Sequence, residues 1–288
     1  MMSGNTKNAK PSAATLRFQR MFSSAAKLDE PAAVEALREG ADMRAPIPWD
    51  GGRTVLAQAA AHDQIEKVRW LLDQGADMNA LSVDCTALMT AAACGSLGVV
   101  GLLIDRGADP NIKNEAGWSA LLHAVIADRP AIVELLITRG ADPDTRDRAG
   151  RTALAHAVWN GHNRIAVLLL GHGANPNARQ RPDDLPPWAL AMKCAHLDAE
   201  VIDTLLAHGA DLIGTGTTIG RALLVALLEK RLRLPGILDT VLARPAHATL
   251  RHDVLDQGLT ADQRAAWLPK SCAAEAAGLA AKTWNRKP

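Results

Sequence analysis

The sequence predicts an all-α solenoid, built of helix-turn-helix units stacked side by side and closed by helical N- and C-terminal caps. Three observations predict it. A Gly-Ala-Asp or Gly-Ala-Asn triplet starts at Gly40, Gly75, Gly107, Gly140, Gly173 and Gly209, at intervals of 35, 32, 33, 33 and 36 residues. A period of that length marks one supersecondary unit repeated, not one globular core. Before the triplets run apolar stripes at helical spacing, such as Ile132, Val133, Leu135 and Leu136. Apolar residues make up 48% of the 288, much of it Ala, which suits tight helix-to-helix stacking.

Residues 1–14 are polar, contain Pro11 and lack periodicity, so they read as a disordered N-terminal tail. Lys7, Lys10, Arg17, Arg20 and Lys27 precede the first acid, Asp29. This pattern fits an organellar presequence or a tail leading into a capping helix. The second reading is taken, because Leu28 leads straight into a repeat-like unit. Residues 15–45 form that capping unit, with Leu16, Phe18, Met21 and Phe22 for bulk and Pro31 opening a second helix. Stacked arrays need such ends to shield the core.

The repeat proper is clearest around Gly140. Ser119 stands as an N-cap for a short helix, its hydroxyl facing the free amides of the first turn. Pro130 suits the first turn of the next helix, where a missing N–H costs nothing. Gly140 stops that helix in a left-handed conformation, and Asp142 accepts backbone hydrogen bonds in the turn that follows. Thr54, Thr86 and Thr152 share the cap position, and Leu56, Leu88, Leu121 and Leu154 a buried one. Other second-helix stripes are Ile65-Val68-Leu71-Leu72, Val99-Val100-Leu102-Leu103, Ile165-Leu168-Leu169 and Val201-Ile202-Leu205-Leu206.

Two connections are long: Arg44 to Gly52, with Pro46, Pro48 and Trp49, and Ala178 to Pro187. Residues 214–246 read as a degenerate last unit, so that the array spans 15–246 in about six units. Residues 247–288 do not fit the repeat and read as a helical C-terminal cap or tail, with Trp267 packed on the last unit.

The pattern resembles the ankyrin repeat. The likeness rests on Gly75-Ala76-Asp77-Met78-Asn79, Gly107-Ala108-Asp109-Pro110-Asn111 and Gly173-Ala174-Asn175-Pro176-Asn177. It covers roughly residues 50–212, with a degenerate unit on either side. Departures are regular. Val55, Ala87, Ala120 and Ala153 replace the family's Pro, and Ala57, Met89, Leu122 and Ala155 its His. The cross-repeat bonds of that His are expected to be missing, which leaves stability to apolar stacking.

Composition excludes some functions. With 32 basic and 31 acidic residues the net charge is +1, so no footprint for nucleic acid or an anionic membrane is present. No run approaches a membrane span, and no apolar signal-peptide core is seen. Cys85, Cys94, Cys194 and Cys272 form no CxxC pair and read as free, mostly buried thiols of a reducing compartment, which suggests a cytoplasmic location. His123 and His156 lie one repeat apart on a buried face. Without a third ligand they read as satisfied core histidines, and no metal or cofactor is expected. Gly214 to Gly220 resembles a phosphate loop but lacks its Lys and a preceding strand. No nucleophile–base pair has supporting context, so an enzyme is not expected.

What remains is protein recognition. The resemblance implies that a partner docks on the concave face made by turn tips and first helices. Carried over by position, the expected partner-binding residues are Arg53, Glu115, Trp118, Arg148, Arg151, Trp159 and Asn160, with Arg179 and Arg181 on the next tip. Ser82, Val83, Cys85 and Cys94 occupy the same positions of the second repeat. Trp and Arg dominate interface hot spots, and the arginines favour an acidic partner patch. The expectation is an adaptor, inhibitor or regulator, monomeric when free, whose partner is another protein. The alternatives are a small catalytic or docking activity in 247–288 and a structural subunit of a larger complex.

Overall fold

The computed structural model describes residues 11–178 apart from Ala25, together with Pro187 and residues 199–210. Arg179 and Arg181, the phosphate-loop-like stretch and the 247–288 segment lie outside the described residues. The chain divides into two compact units, Met1–Leu197 and Asp198–Pro288. Among the described residues of the first, ten helices follow in pairs: α1 (Ala13–Ser23) with α2 (Glu30–Arg38), α3 (Val55–Ala61) with α4 (Ile65–Asp73), α5 (Ala87–Cys94) with α6 (Leu97–Asp105), α7 (Ala120–Ile126) with α8 (Pro130–Thr138), and α9 (Ala153–Asn160) with α10 (Asn163–Gly171). In the second unit, α11 (Ala199–Ala207) ends before Gly209, which has φ +85°. Among the described residues there is no strand, only the isolated bridges Ser82–Cys85 and Arg146–Thr152. The architecture is the all-α repeat solenoid expected. α1 begins at Ala13, two residues before the expected edge of the unit, because the Ser12 hydroxyl accepts from the Thr15 amide at 3.1 Å.

The elements follow from local chemistry. Thr54, Thr86, Ser119 and Thr152 cap α3, α5, α7 and α9, each hydroxyl accepting the third amide of its helix at 3.2–3.4 Å. The closing glycines hold left-handed φ, and Ala76, Ala108, Ala141 and Ala174 donate back to Leu71, Leu103, Leu136 and Leu169. From cap to closing glycine the spacing is 21 residues in every central repeat: Thr54 to Gly75, Thr86 to Gly107, Ser119 to Gly140, Thr152 to Gly173. From a closing glycine to the next cap it is 14, 11, 12 and 12. All length variation therefore falls in the connecting fingers, where solvent tolerates it; the helix pair is fixed by packing.

That packing is apolar. Leu56, Leu88, Leu121 and Leu154 are at most 4% exposed, and the positions that lost the family His are buried as well. The Ala-rich first helices α3, α5, α7 and α9 pack more closely on one another than the second helices do. Small side chains permit that approach.

Between repeats runs a polar staple. Asp77, Asp109 and Asp142 each accept, two residues on, the amides of Asn79, Asn111 and Asp144. The side chains of Asn79, Asn111 and Asp144 then accept the amides of Asp109, Asp142 and Asn175 in the next repeat, at 3.1, 2.9 and 2.8 Å. One Asx turn thus positions the acceptor for its neighbour. In the first repeat Arg44 occupies that place, and an arginine side chain cannot accept.

The N-terminal unit is clasped onto the array. Phe18, Phe22 and Trp70 form a cluster with ring centroids 4.8–6.2 Å apart. Beside it, buried Lys67 donates its ammonium to the carbonyls of Met21 and Ser24, at 3.2 and 2.5 Å, at the end of α1. A cation suits a helix C-terminus. Burial pulls the Lys67 ammonium below the ordinary lysine value. Lys67→Met keeps the stem and is expected to cost about 1–3 kcal/mol by leaving those carbonyls unmet. Urea unfolding monitored through Trp70 checks it; no loss would mean the clasp is aromatic alone.

Candidate functional site

The fingers and the ends of the first helices gather the candidate residues. In the finger of residues 111–118, the Asn114 amide donates to the Trp118 carbonyl at 3.1 Å, and Gly117 turns it with φ +78°. The finger of residues 144–151 repeats this: Asp147 donates to Arg151 at 3.0 Å, and Gly150 also has φ +78°. The finger of residues 79–85 is one residue shorter and closes as a two-residue hairpin, with Ser82 and Cys85 exchanging bonds of 2.7 and 3.0 Å. Val83 and Asp84 must then both take positive φ, +49° and +64°.

Neighbouring fingers are tied together. The Ser82 hydroxyl accepts the Thr54 amide at 2.7 Å. The Asp84 carboxylate accepts the Glu115 amide at 2.7 Å. The Arg148 amide donates to the Ala116 carbonyl at 2.8 Å, and its guanidinium to the Glu115 carbonyl at 3.4 Å. Glu115 and Arg148 are thereby held side by side, both exposed. Arg53 is exposed at the root of the first finger, beside Asp50, two fingers away.

Trp118 is half-buried, edge-on to His123 with centroids 5.4 Å apart. Trp159 is 61% exposed at the end of α9, with Asn160 exposed beside it. Arg151 donates through Nε to Asp147 at 3.0 Å and keeps 58% of its side chain in solvent. The same buried carboxylate accepts the Arg151 amide at 2.9 Å and the His156 ring at 3.0 Å. Burial by itself pushes the Asp147 carboxyl up, but those three bonds outweigh it and hold the group below the usual carboxylate range.

The second histidine has a different partner. His123 Nδ1 lies 3.0 Å from the Ser119 carbonyl, which can only accept, so this nitrogen carries the proton. Nε2 is then bare and faces Cys85 Sγ at 3.7 Å. Burial lowers the imidazole and, joined by the Asp84 charge, raises the thiol. Both groups are neutral at neutral pH, the thiol donating to the ring. That is a satisfied polar pair and not an activated nucleophile. Among the described residues, no cluster of three His, Cys, Asp or Glu is placed to hold a metal. None of the described helices is long and apolar enough to cross a membrane.

A family model for ankyrin repeats in three copies matches residues 22–114 and again 88–180, together more than half of the chain. The chain belongs to the ankyrin repeat family. Ankyrin repeats are protein–protein interaction modules, generally without catalysis of their own. Over 85 residues, 29% of this chain, the sequence is 39% identical to the Ankyrin repeat and KH domain-containing protein mask-1 of Caenorhabditis elegans, of which it spans 3%. It is 38% identical over 93 residues to the E3 ubiquitin-protein ligase hecd-1 of the same organism, covering 32% of this chain and 3% of that one. It is 40% identical over 73 residues to Cyclin-dependent kinase 4 inhibitor B of Bos taurus, covering 25% and 56%. The match thus spans just over half of one of these relatives and a small part of the others.

Some ankyrin finger residues were missed by position alone. Asp84 stands where its neighbours have glycine, and its value lies in the bond to the next finger. Trp49 and Leu81, 48% and 52% exposed, are large apolar residues on connections between helices.

Proposed function

We propose that this chain is a non-catalytic recognition module, an adaptor, inhibitor or regulator, that takes another protein along its finger tips and first helices. One observation carries the reading. The fourth repeat holds Trp159 61% exposed at the end of its first helix, together with the solvent-facing Arg148 and Arg151. A large ring and planar cations together are what interface hot spots use. The inhibitor named among the relatives is consistent with a regulator. An acidic partner patch suits the arginines, the free chain is a monomer, and the location is cytoplasmic.

The test is affinity capture from lysate of the native source with mass spectrometry, comparing wild type with Trp159→Ala and Arg148→Glu. Hot-spot truncation costs about 2 kcal/mol or more, roughly thirtyfold in affinity. A partner lost from both variants while circular dichroism stays unchanged supports the surface. A partner that both variants retain removes it.

A further inference from the structure

The finger of residues 79–85 carries a conflict that the rest of the array avoids. Its two-residue turn needs left-handed backbone at both positions, where Asn and Gly are the residues of lowest cost. Val83 has φ +49° there, although a β-branched side chain is poorly suited to that region. Its side chain is 60% exposed, so no burial compensates for the strain. Leu81, two residues earlier, is 52% exposed. Between them the Ser82 hydroxyl accepts the Thr54 amide, which ties this finger to the preceding repeat. Trp49 of the first finger, 48% exposed, donates its indole N–H to the Ser23 hydroxyl at 3.3 Å. Val83 lies over Gly52, where an added Cβ would stand 3.1 Å from Val83 Cγ2. The apolar surface of this finger therefore borders the first finger at Gly52. A strained, exposed, apolar residue where a polar one would be more stable points to contact with something else.

Two fingers further on the surface changes character. Arg148 and Arg151 face solvent at the fourth finger, with Asp147 between them buried and shared with His156, and exposed Glu115 of the third finger beside Arg148. We infer that the partner is a segment with large apolar side chains at one end, seated on Leu81 and Val83, and carboxylates at the other, seated on Arg148 and Arg151. This rests on the recognition surface proposed above and adds its polarity. Helix packing spaces adjacent repeats by about 10 Å, so the two patches lie about 20 Å apart. An extended chain covers that in about six residues.

The experiment is selection of random twenty-residue peptides displayed on phage against the immobilised full-length chain. Enriched peptides are then synthesised and titrated against wild type, Val83→Asn, Leu81→Ser, Arg148→Glu and Trp159→Ala. The expected peptides carry clustered large apolar residues and, about six residues away, clustered Asp or Glu. Val83→Asn is expected to raise the melting temperature while weakening binding at least tenfold, an opposition that a merely structural residue would not show. Leu81→Ser and Arg148→Glu weaken binding without the rise. Peptides lacking this pattern, binding unchanged in Val83→Asn, or no enrichment at all would overturn the inference. If Arg148→Glu and Trp159→Ala weaken binding and the two apolar variants do not, the surface stands and its polarity falls. If none of the four matters, both fall. A wild-type dimer in sedimentation that Val83→Asn dissociates would put a second copy on the patch and overturn the inference.

Discussion

Gly117→Ala is expected to destabilise the array by about 3 kcal/mol, far more than the same change at Gly140. Both glycines have positive φ, +78° and +93°, so both changes carry the left-handed cost of an L-residue, about 1–2 kcal/mol. They differ in what the new methyl meets. At Gly140 nothing lies within 4 Å. At Gly117 the Cβ would stand 2.5 Å from the Arg148 amide nitrogen and 2.9 Å from the Asp147 carbonyl carbon. Those are backbone atoms and cannot swing aside, so the two fingers must part and the Arg148–Ala116 bond must stretch or break. Urea unfolding of both variants gives the comparison, and equal losses would mean the fingers do not touch as described. Because the same movement displaces Arg148, Gly117→Ala should weaken partner binding while Gly140→Ala leaves it intact.

The contrast between those glycines also marks how far sequence reading reaches. That Gly140 ends a helix is legible, because capping and left-handed turns are set by residues within one turn of each other. The same locality made Thr54, Thr86, Ser119, Thr152 and the buried leucines readable, and with them the fold. Gly117 looks like any turn glycine in the sequence; its second role comes from a finger thirty residues away. Lys67 is similar. A lysine on an amphipathic helix reads as solvated, and only the placement of α1 turns it into a buried clasp. Position within the repeat indicated which side chains gather at the fingers. It did not indicate their surroundings: Trp118 and Trp159 were both placed as contact residues, yet the Trp118 indole is half-buried beside His123, whereas Trp159 is 61% exposed. Val83 was legible as a tip residue, but its backbone strain follows from the residue missing from that finger.

Loss of Asp147 should be the other large effect, and its pH dependence identifies the cause. The carboxylate side chain is 2% exposed and accepts the Arg151 amide, the Arg151 guanidinium and the His156 ring. Asp147→Ala leaves a buried ring N–H and an amide without partners, which is expected to cost about 3 kcal/mol. Much of Arg151 lies in solvent, so the ion pair itself adds little to that figure. Asp147→Asn keeps the shape and one acceptor but loses the charge. In the folded chain the Asp147 carboxyl titrates below its unfolded value of about 3.9. The native state therefore holds the charge at pH values where the unfolded chain has taken up a proton. The stability this confers is fully present above the unfolded value and is lost as pH falls through the folded one. Wild type should exceed Asp147→Asn most at pH 7 and 5, and the gap should narrow toward pH 3. A gap that stays constant across that range would mean the deficit comes from packing alone. Since Arg151 is aimed by this carboxylate, Asp147→Asn should also weaken binding of an acidic partner at neutral pH while the helices remain folded. The polar network under the fourth finger would then serve stability and recognition through the same three bonds.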